Sequence, residues 1–200
     1  MKIFLSIVIS YLLGSINSAI LVGRLWANID IRNYGSGNAG ATNTLRTLGK
    51  PAAAVVLVVD VLKGIVGVAL GRYFAGDIGA LTAGIACVLG HNFPVYFGFK
   101  GGKGILTSAA VIFMLNWKIG IILTILVLVI IIVTRYVSLG SIIGASLYPM
   151  AILLFDKRGI EYIVFAFCIA VLAVYRHKTN IKRLLNGTES KLEQKLKCND

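Results

Sequence analysis

Residues 117–133 read WKIGIILTILVLVIIIV, from Trp117 to Val133, and hold a single charge, Lys118, near one end. A run this long and this apolar is suited to crossing a bilayer as a helix, because inside lipid only a helix or a closed barrel can satisfy its own backbone. Outward from it lie similar runs at Ile3 to Val22, Ala52 to Leu70, Ile78 to Leu89, Ile105 to Leu115, Leu139 to Phe155 and Gly159 to Tyr175. The runs at Ile78 and Ile105 fall well short of the ~20 residues of a full span and have the length of re-entrant segments. The chain is 58% apolar and 14% charged, with a mean hydropathy of +0.86, which a soluble domain of 200 residues could not hide from water. The expected fold is an all-α integral membrane protein, a polytopic helical bundle of about seven membrane helices, or five full spans plus re-entrant segments. It forms one membrane-embedded domain over residues 1–200, with a basic tail from about 176 to 200. Lys2 and the small residues from Ser15 to Ala19 resemble a secretory leader. The stretch from Ile3 to Val22 is nearer a full span, and its removal would not make the remainder soluble, so it reads as the first membrane helix.

Twenty Lys and Arg against eight Asp and Glu give a net charge of +12, which suits an anionic lipid surface and an anionic substrate. Nucleic acid is not expected as a partner, because no soluble basic domain or aromatic-interleaved basic patch is present to bind it. Cys87 and Cys168 sit in apolar runs and Cys198 in the tail, without paired spacing. No disulfide framework, metal site or cofactor is implied.

The chemistry must reside where the apolar runs end. The first such cluster is Gly35-Ser36-Gly37-Asn38-Ala39-Gly40-Ala41-Thr42-Asn43, with Arg46 three residues on. Its glycines let backbone N–H groups approach a ligand, and a helix starting there favours an anion, with Arg46 as a bidentate clamp. A flexible loop between spans would have the same composition. The second cluster, Gly90 to Gly104, ends in Lys100-Gly101-Gly102-Lys103-Gly104. It is not a Walker A loop, since Gly104 stands where a Ser or Thr should bind magnesium and no strand precedes it. Two lysines flanking a Gly-Gly turn at a helix mouth remain an anion site. His91 in the same cluster is expected to hydrogen-bond a nearby backbone carbonyl. The third cluster, Arg176 to Glu189, puts His177 and Asn180 on one helix face and suggests a basic ridge of Arg176, Asn180 and Arg183. Alone it would read as a polybasic juxtamembrane segment. A shorter polar break adds the hydroxyls of Ser138 and Ser141.

Two apolar segments separate the first cluster from the second, and an even number separates the second from the third, so all face one side. That side carries Arg24, Arg32, Arg46, Lys50, Lys100, Lys103, Arg135, Arg176, Lys178, Lys182, Arg183, Lys191, Lys195 and Lys197, against Lys2, Arg72, Lys118, Lys157 and Arg158 opposite. The positive-inside rule makes it cytoplasmic, with the N-terminus outside. Asp60 and Lys63, spaced i, i+3, lie within the second segment and can pair there. Such a pair serves either a functional site or helix packing.

Together the motifs Gly-Ser-Gly-Asn-Ala-Gly-Ala-Thr-Asn-x-x-Arg, Gly-His-x-Phe-Pro-x-x-x-x-Phe-Lys-Gly-Gly-Lys-Gly and Arg-His-x-x-Asn-Ile-x-Arg-Leu-x-x-Gly-x-Glu resemble those of the bacterial acyl-phosphate-dependent glycerol-3-phosphate acyltransferases, the PlsY family. The likeness covers essentially the whole chain, with one extra residue between Pro94 and Phe99. It implies transfer of an acyl group from acyl phosphate to the 1-hydroxyl of glycerol 3-phosphate, giving lysophosphatidic acid and inorganic phosphate in phospholipid synthesis. It also implies a multi-pass protein of the bacterial cytoplasmic membrane, in transient contact with the enzyme that supplies acyl phosphate. Carried onto this chain, the family's site residues are Ser36, Arg46, Lys103, His177 and Asn180. Ser36, His177 and Asn180 are then the catalytic candidates. The substrate-binding candidates are Gly35, Gly37, Asn38, Gly40, Asn43, Arg46, Lys100, Gly101, Gly102, Lys103, Gly104, Ser138 and Ser141.

The residues suit that reaction independently. An acyl phosphate is an anhydride with a good leaving group, so alignment and charge stabilisation suffice without a covalent nucleophile. Ser36 has no acid–base partner near it in sequence and is expected to hydrogen-bond. The His-x-x-x-x-Asp signature of another acyltransferase class is absent, because Tyr96 and Lys182 occupy the fifth positions after His91 and His177. The alternative reading is a transporter or channel for an organic phosphate. Such proteins usually bind near the midplane with repeat symmetry, and neither feature is visible in this sequence.

Overall fold

The computed structural model describes residues 1–192. Cys198, Lys195 and Lys197 lie outside the described residues. All regular structure among the described residues is helical, in the order α1 (Lys2–Ser15), α2 (Ser18–Ala27), α3 (Ala41–Leu48), α4 (Lys50–Asn92), α5 (Ile105–Leu115), α6 (Trp117–Thr134), α7 (Val137–Phe155), α8 (Ile160–Arg176) and α9 (Lys178–Leu185). Every apolar run expected from sequence is helical, the first divided between α1 and α2 and the next two forming the two arms of α4.

The element α4 is a helical hairpin. Its path breaks at Ala75 (φ −151°, ψ 29°) and Gly76 (φ 59°, ψ −146°), and the left-handed φ at Gly76 is the reason a glycine stands at the reversal. The returning arm packs so tightly that a side chain on Gly71 would overlap the Gly79 carbonyl, and one on Gly79 the Gly71 carbonyl. α1 lies against the hairpin by the same device, with Gly14 on the Cys87 backbone and Gly90 on the Tyr11 carbonyl. Helices in lipid gain nothing from hiding apolar surface, so close backbone approach and added hydrogen bonds hold them together. Here the Tyr11 hydroxyl donates to the Phe93 carbonyl at 2.7 Å, and Ser10 Oγ to the Gly67 carbonyl at 3.3 Å.

The first apolar run is not one straight helix. Ile16 turns extended and the Asn17 side chain caps α2 by accepting the Ile20 N–H at 3.1 Å, so α1 and α2 meet at a break. The carbonyls freed there, of Gly14 and Ile16, accept from the Lys63 ammonium at 3.3 and 3.1 Å. Lys63 also pairs with Asp60 at 2.8 Å, which realises the spacing seen in sequence.

A separate core joins the hairpin's far half to α5 through α8, around Val68, Val88, Val111, Ile119, Ile152, Phe165 and Ile169. Tyr148 and Phe165 meet edge to face at 6.2 Å. α6 turns Ile125, Leu128, Val129, Ile132 and Val133 outward, as a lipid-facing helix does. By length and composition, Lys2–Ala27, Lys50–Phe97, Trp117–Thr134 and Val137–Phe155 can reach across a membrane, the second holding both hairpin arms. Ile160–Arg176 and Lys178–Leu185 add a fifth if the pair, bent by 59°, is one span. α5, at 11 residues, is only ~16 Å long against a hydrocarbon core of ~30 Å. It is the short apolar helix of the bundle, beside four or five elements long enough to span.

Candidate active site

The three polar clusters are brought together at one end of the bundle. In the first, Gly35 (φ +60°) and Gly37 (φ +71°) turn the chain back on itself before α3 begins at Ala41. Asn43, on the first turn of α3, fastens that loop. Its Oδ1 accepts the Ser36 N–H at 2.8 Å and the Ser36 hydroxyl at 3.2 Å, while its Nδ2 donates to the carbonyls of Ile31 and Tyr34 at 3.1 and 2.9 Å. The whole hydrogen-bonding capacity of Asn43 thus shapes the loop, which differs from the substrate contact expected of it. Among the described residues the side-chain partner of Ser36 is an amide, which is no base. This leaves Ser36 without the activation a nucleophile needs.

The second cluster crosses the third. Lys103 Nζ donates to Asn180 Oδ1 at 2.5 Å, and Asn180 Nδ2 donates to Glu189 Oε1 at 2.6 Å. Glu189 also accepts from Ser138 Oγ at 2.8 Å and from Arg183 Nε at 2.7 Å. Arg46 reaches the same place from the first cluster, where one guanidinium nitrogen donates to the carbonyls of Ser190 and Lys191, both at 3.0 Å. Its Nε is buried with no hydrogen-bond partner among the described residues. His177 closes the group at the junction of α8 and α9, with Nδ1 at 2.8 Å from the Ala173 carbonyl. A carbonyl can only accept, so Nδ1 carries the proton and Nε2 is left as an acceptor.

These residues line one cavity of about 490 Å³, well within the range of small-molecule sites. Its polar end holds Ser36, Asn38, Gly40, Asn43, Arg46, Lys103, Gly104, Ser138, Ser141, His177, Asn180 and Glu189. The first turns of α3, α5 and α7 border it through Ala41, Ile105 and Val137, so helix N-termini add partial positive charge to the side-chain cations. From there it continues as an apolar groove past Ala109, Ile112, Leu123, Val127 and Ile169.

The electrostatics follow from burial. Lys103 is pushed down to about 8 by desolvation, with Glu189 pulling the other way and the arginines at 183, 46 and 176 adding to the depression. His177 is pushed down to about 4 by burial and by the Lys103 charge beside it. At neutral pH it is an uncharged imidazole. Burial raises Glu189, but its hydrogen bonds from Arg183, Asn180 and Ser138 outweigh this and hold it below the usual carboxylate value. A pocket lined by Arg46 and Lys103, with its two carboxylates already paired, Glu189 to Arg183 and Asp60 to Lys63, and joined to an apolar groove, is built for an anionic head on an apolar tail.

Some expected residues lie elsewhere. Gly37, Lys100 and Gly101 face a neighbouring cavity with Arg32, Phe97 and Arg176, and so stand outside the main pocket. Gly35 and Gly102 sit behind its wall: a side chain on Gly35 would meet Asn43, and one on Gly102 would meet His91 and the Ala39 carbonyl. The expected basic ridge does not form, because Arg176 turns to the carbonyls of Gly101 and Gly102 at 3.1 and 2.8 Å and Arg183 turns to Glu189. Among the described residues the His91 ring bonds no carbonyl; its Nδ1 lies 2.8 Å from the Lys63 ammonium. Sequence reasoning gave no role to Glu189 and placed Arg176 only in the basic ridge. Both occur in the third motif, but Arg176 meets Gly101 and Gly102 across 75 and 74 positions, and Glu189 joins the nearby Asn180 and Arg183 to Ser138, 51 positions away.

The sequence matches the family described as glycerol-3-phosphate acyltransferase over residues 4–187. It is 49% identical to the glycerol-3-phosphate acyltransferase of Thermoanaerobacter sp. (strain X514) and 46% identical to that of Alkaliphilus metalliredigens (strain QYMF), in each case over 96% of both chains. The fold superposes on the crystal structure of PlsY, an integral membrane glycerol 3-phosphate acyltransferase, in its glycerol 3-phosphate form, with a TM-score of 0.91 and 36% identity over 96% of each chain. The lysophosphatidic acid form of PlsY gives a TM-score of 0.88 at 35% identity, over 96% of this chain and 95% of that one.

Proposed function

Because this chain belongs to the glycerol-3-phosphate acyltransferase family, we propose that it moves an acyl group from acyl phosphate to the 1-hydroxyl of glycerol 3-phosphate, at the cytoplasmic face of a bacterial plasma membrane. One observation carries the reading: Arg46, Lys103 and His177, one from each polar cluster, border a single cavity that runs on into an apolar groove. The lysine ammonium and the guanidinium of Arg46 bind the phosphate of glycerol 3-phosphate. The backbone of the first loop and the start of α3 hold the acyl-phosphate group. The acyl tail lies in the groove, which follows α6 from Ile131 to Gly120. At 1.5 Å per residue that is ~16 Å, room for about a dozen methylenes.

In the reaction the 1-hydroxyl oxygen attacks the acyl carbon, the bond from that carbon to the phosphate oxygen breaks, and the hydroxyl proton ends on the released phosphate. His177 Nε2 accepts the hydroxyl hydrogen bond and aims its lone pair at the carbon. An imidazole pushed down to about 4 is a weak base, so the departing inorganic phosphate, the stronger base, is the better final proton holder. Asn180 fixes Lys103, and Glu189 fixes Asn180.

The reading is tested on purified protein given acyl phosphate with and without glycerol 3-phosphate. Phosphate release that requires the acceptor, one phosphate per lysophosphatidic acid formed, is expected. Folded protein that releases none, yet moves an organic phosphate across vesicles, would make it a transporter. The Lys103 environment adds a pH dependence. The ammonium is charged below about 8 and neutral above it, so acceptor kcat/KM should hold through neutral pH and fall along an alkaline limb beginning near 8. Lys103→Arg, which stays charged, should lower activity but remove that limb. A limb of the same midpoint in the arginine variant would show that another group titrates.

A further inference from the structure

The segment that carries Lys103 has no regular structure from Lys100 to Gly104. A cation that must meet a phosphate at hydrogen-bonding distance nevertheless has to be placed to within a fraction of an ångström. Part of the hold is backbone: the Gly101 N–H donates to the Asn92 carbonyl and the Gly102 N–H to the His91 carbonyl, both at 3.2 Å. Arg176 secures the opposite edge through the carbonyls of Gly101 and Gly102. Beneath the loop lies the His91 ring, so near that a methyl group on Gly102 would overlap Nε2.

That ring is itself anchored inside the membrane segment. Lys63 Nζ stands 2.8 Å from His91 Nδ1 and 2.8 Å from Asp60 Oδ1, and Asp60 Oδ1 accepts from Ser18 Oγ at 2.8 Å. Asp60, Lys63 and His91 are all at most 3% exposed. An ammonium cannot share a short contact with an N–H, so Nδ1 accepts from Lys63, and the neutral ring carries its proton on Nε2, toward the loop. A buried ion pair adds little net stability over a well-packed apolar replacement, so its presence is more readily explained by the geometry it imposes.

We propose that Asp60, Lys63 and His91 form a positioning cluster that sets the Gly101–Gly102–Lys103 loop, and through it the cation that reads the acceptor phosphate. This rests on the assignment of Lys103 to the phosphate of glycerol 3-phosphate. Lys63 also ties down the break between α1 and α2, so a merely structural role has to be separated from a positioning one.

The test compares the full-length wild type with Asp60→Asn/Lys63→Met, which removes both charges at nearly constant volume, in detergent with thermal stability and dispersity monitored. The acceptor KM should rise about tenfold or more, while kcat and the acyl-phosphate KM stay within about threefold. His91→Gln is the second variant. It keeps an acceptor for Lys63 and so spares the α1–α2 junction, but removes the ring under Gly102, and should give the same acceptor-selective rise. Unchanged acceptor KM in either folded variant, or donor and acceptor KM rising together, would overturn the proposal. If the double variant does not fold, His91→Gln decides alone. Wild-type protein without acceptor-dependent phosphate release would instead refute the enzymatic reading, which is measured first and separately.

Discussion

Replacing His177 by alanine should lower kcat by about a hundredfold to ten-thousandfold, while the KM for glycerol 3-phosphate stays within about threefold. The split follows from the state of the ring. His177 is 2% exposed, is pushed down to about 4 by burial, and has its Nδ1–H tied to the Ala173 carbonyl, so it meets the substrate as a fixed neutral acceptor. A neutral acceptor adds little to the binding of a phosphate dianion. Its effect grows as the attacking hydroxyl gives up its proton, which is when orientation and a waiting lone pair lower the barrier. For the same reason the rate should show no limb near pH 6.5 that disappears in His177→Ala, since the ring is uncharged on both sides of that value. Steady-state kinetics on a variant with wild-type thermal stability checks this. A rise in acceptor KM with kcat unchanged would make His177 a binding residue only.

Arg46→Ala should act in the opposite sense, raising the acceptor KM by about tenfold to a hundredfold with a smaller loss in kcat, as expected for losing one charge-assisted donor fork. Arg46 lines the cavity from α3, its Nε is buried without a hydrogen-bond partner among the described residues, and Arg176 and Arg183 are both engaged. Its remaining contacts, to the carbonyls of Ser190 and Lys191, hold the segment that carries Glu189, and loosening it accounts for the part of the loss seen in kcat. Arg46→Lys should recover only a fraction, because an ammonium keeps the charge but not the planar fork. Full recovery by lysine would mean that charge alone matters. The KM for acyl phosphate should not follow the acceptor KM in either variant.

Much of this architecture could be read from residue order. Apolar runs such as Trp117 to Val133 announce helices because lipid leaves a backbone no other choice, and the polar clusters stand out against them. Arg46, Lys103, His177 and Asn180 were legible because residue type and motif order coincide. What escaped depends on contacts between distant residues. The partner of Lys63 that matters most, His91, is 28 positions away, and Lys103 meets Asn180 across 77. Lys100 and Lys103 look equivalent in sequence. Only the turn at Gly101 and Gly102, held by Arg176 and the end of α4, sends Lys103 into the main pocket and Lys100 to its neighbour. Asn43 is a related case: the left-handed turn at Gly35 wraps the chain around it, so its side chain fastens the loop. The break between α1 and α2 was hidden because one asparagine inside an apolar run is a weak signal, decisive only when a lysine from another helix takes up the freed carbonyls.

The account turns on three polar clusters lying together at one face of the membrane, where a phosphorylated acceptor can touch them all. Single cysteines at Asn38, Lys100 and Thr188, in a background without the native ones, can be labelled with a membrane-impermeant thiol reagent in right-side-out and inverted vesicles. All three should react only in inverted vesicles, and glycerol 3-phosphate should slow the reaction at position 38, which borders the pocket, more than at exposed position 100. Labelling of any one of them from the other face would contradict the common pocket and the acyl transfer built on it.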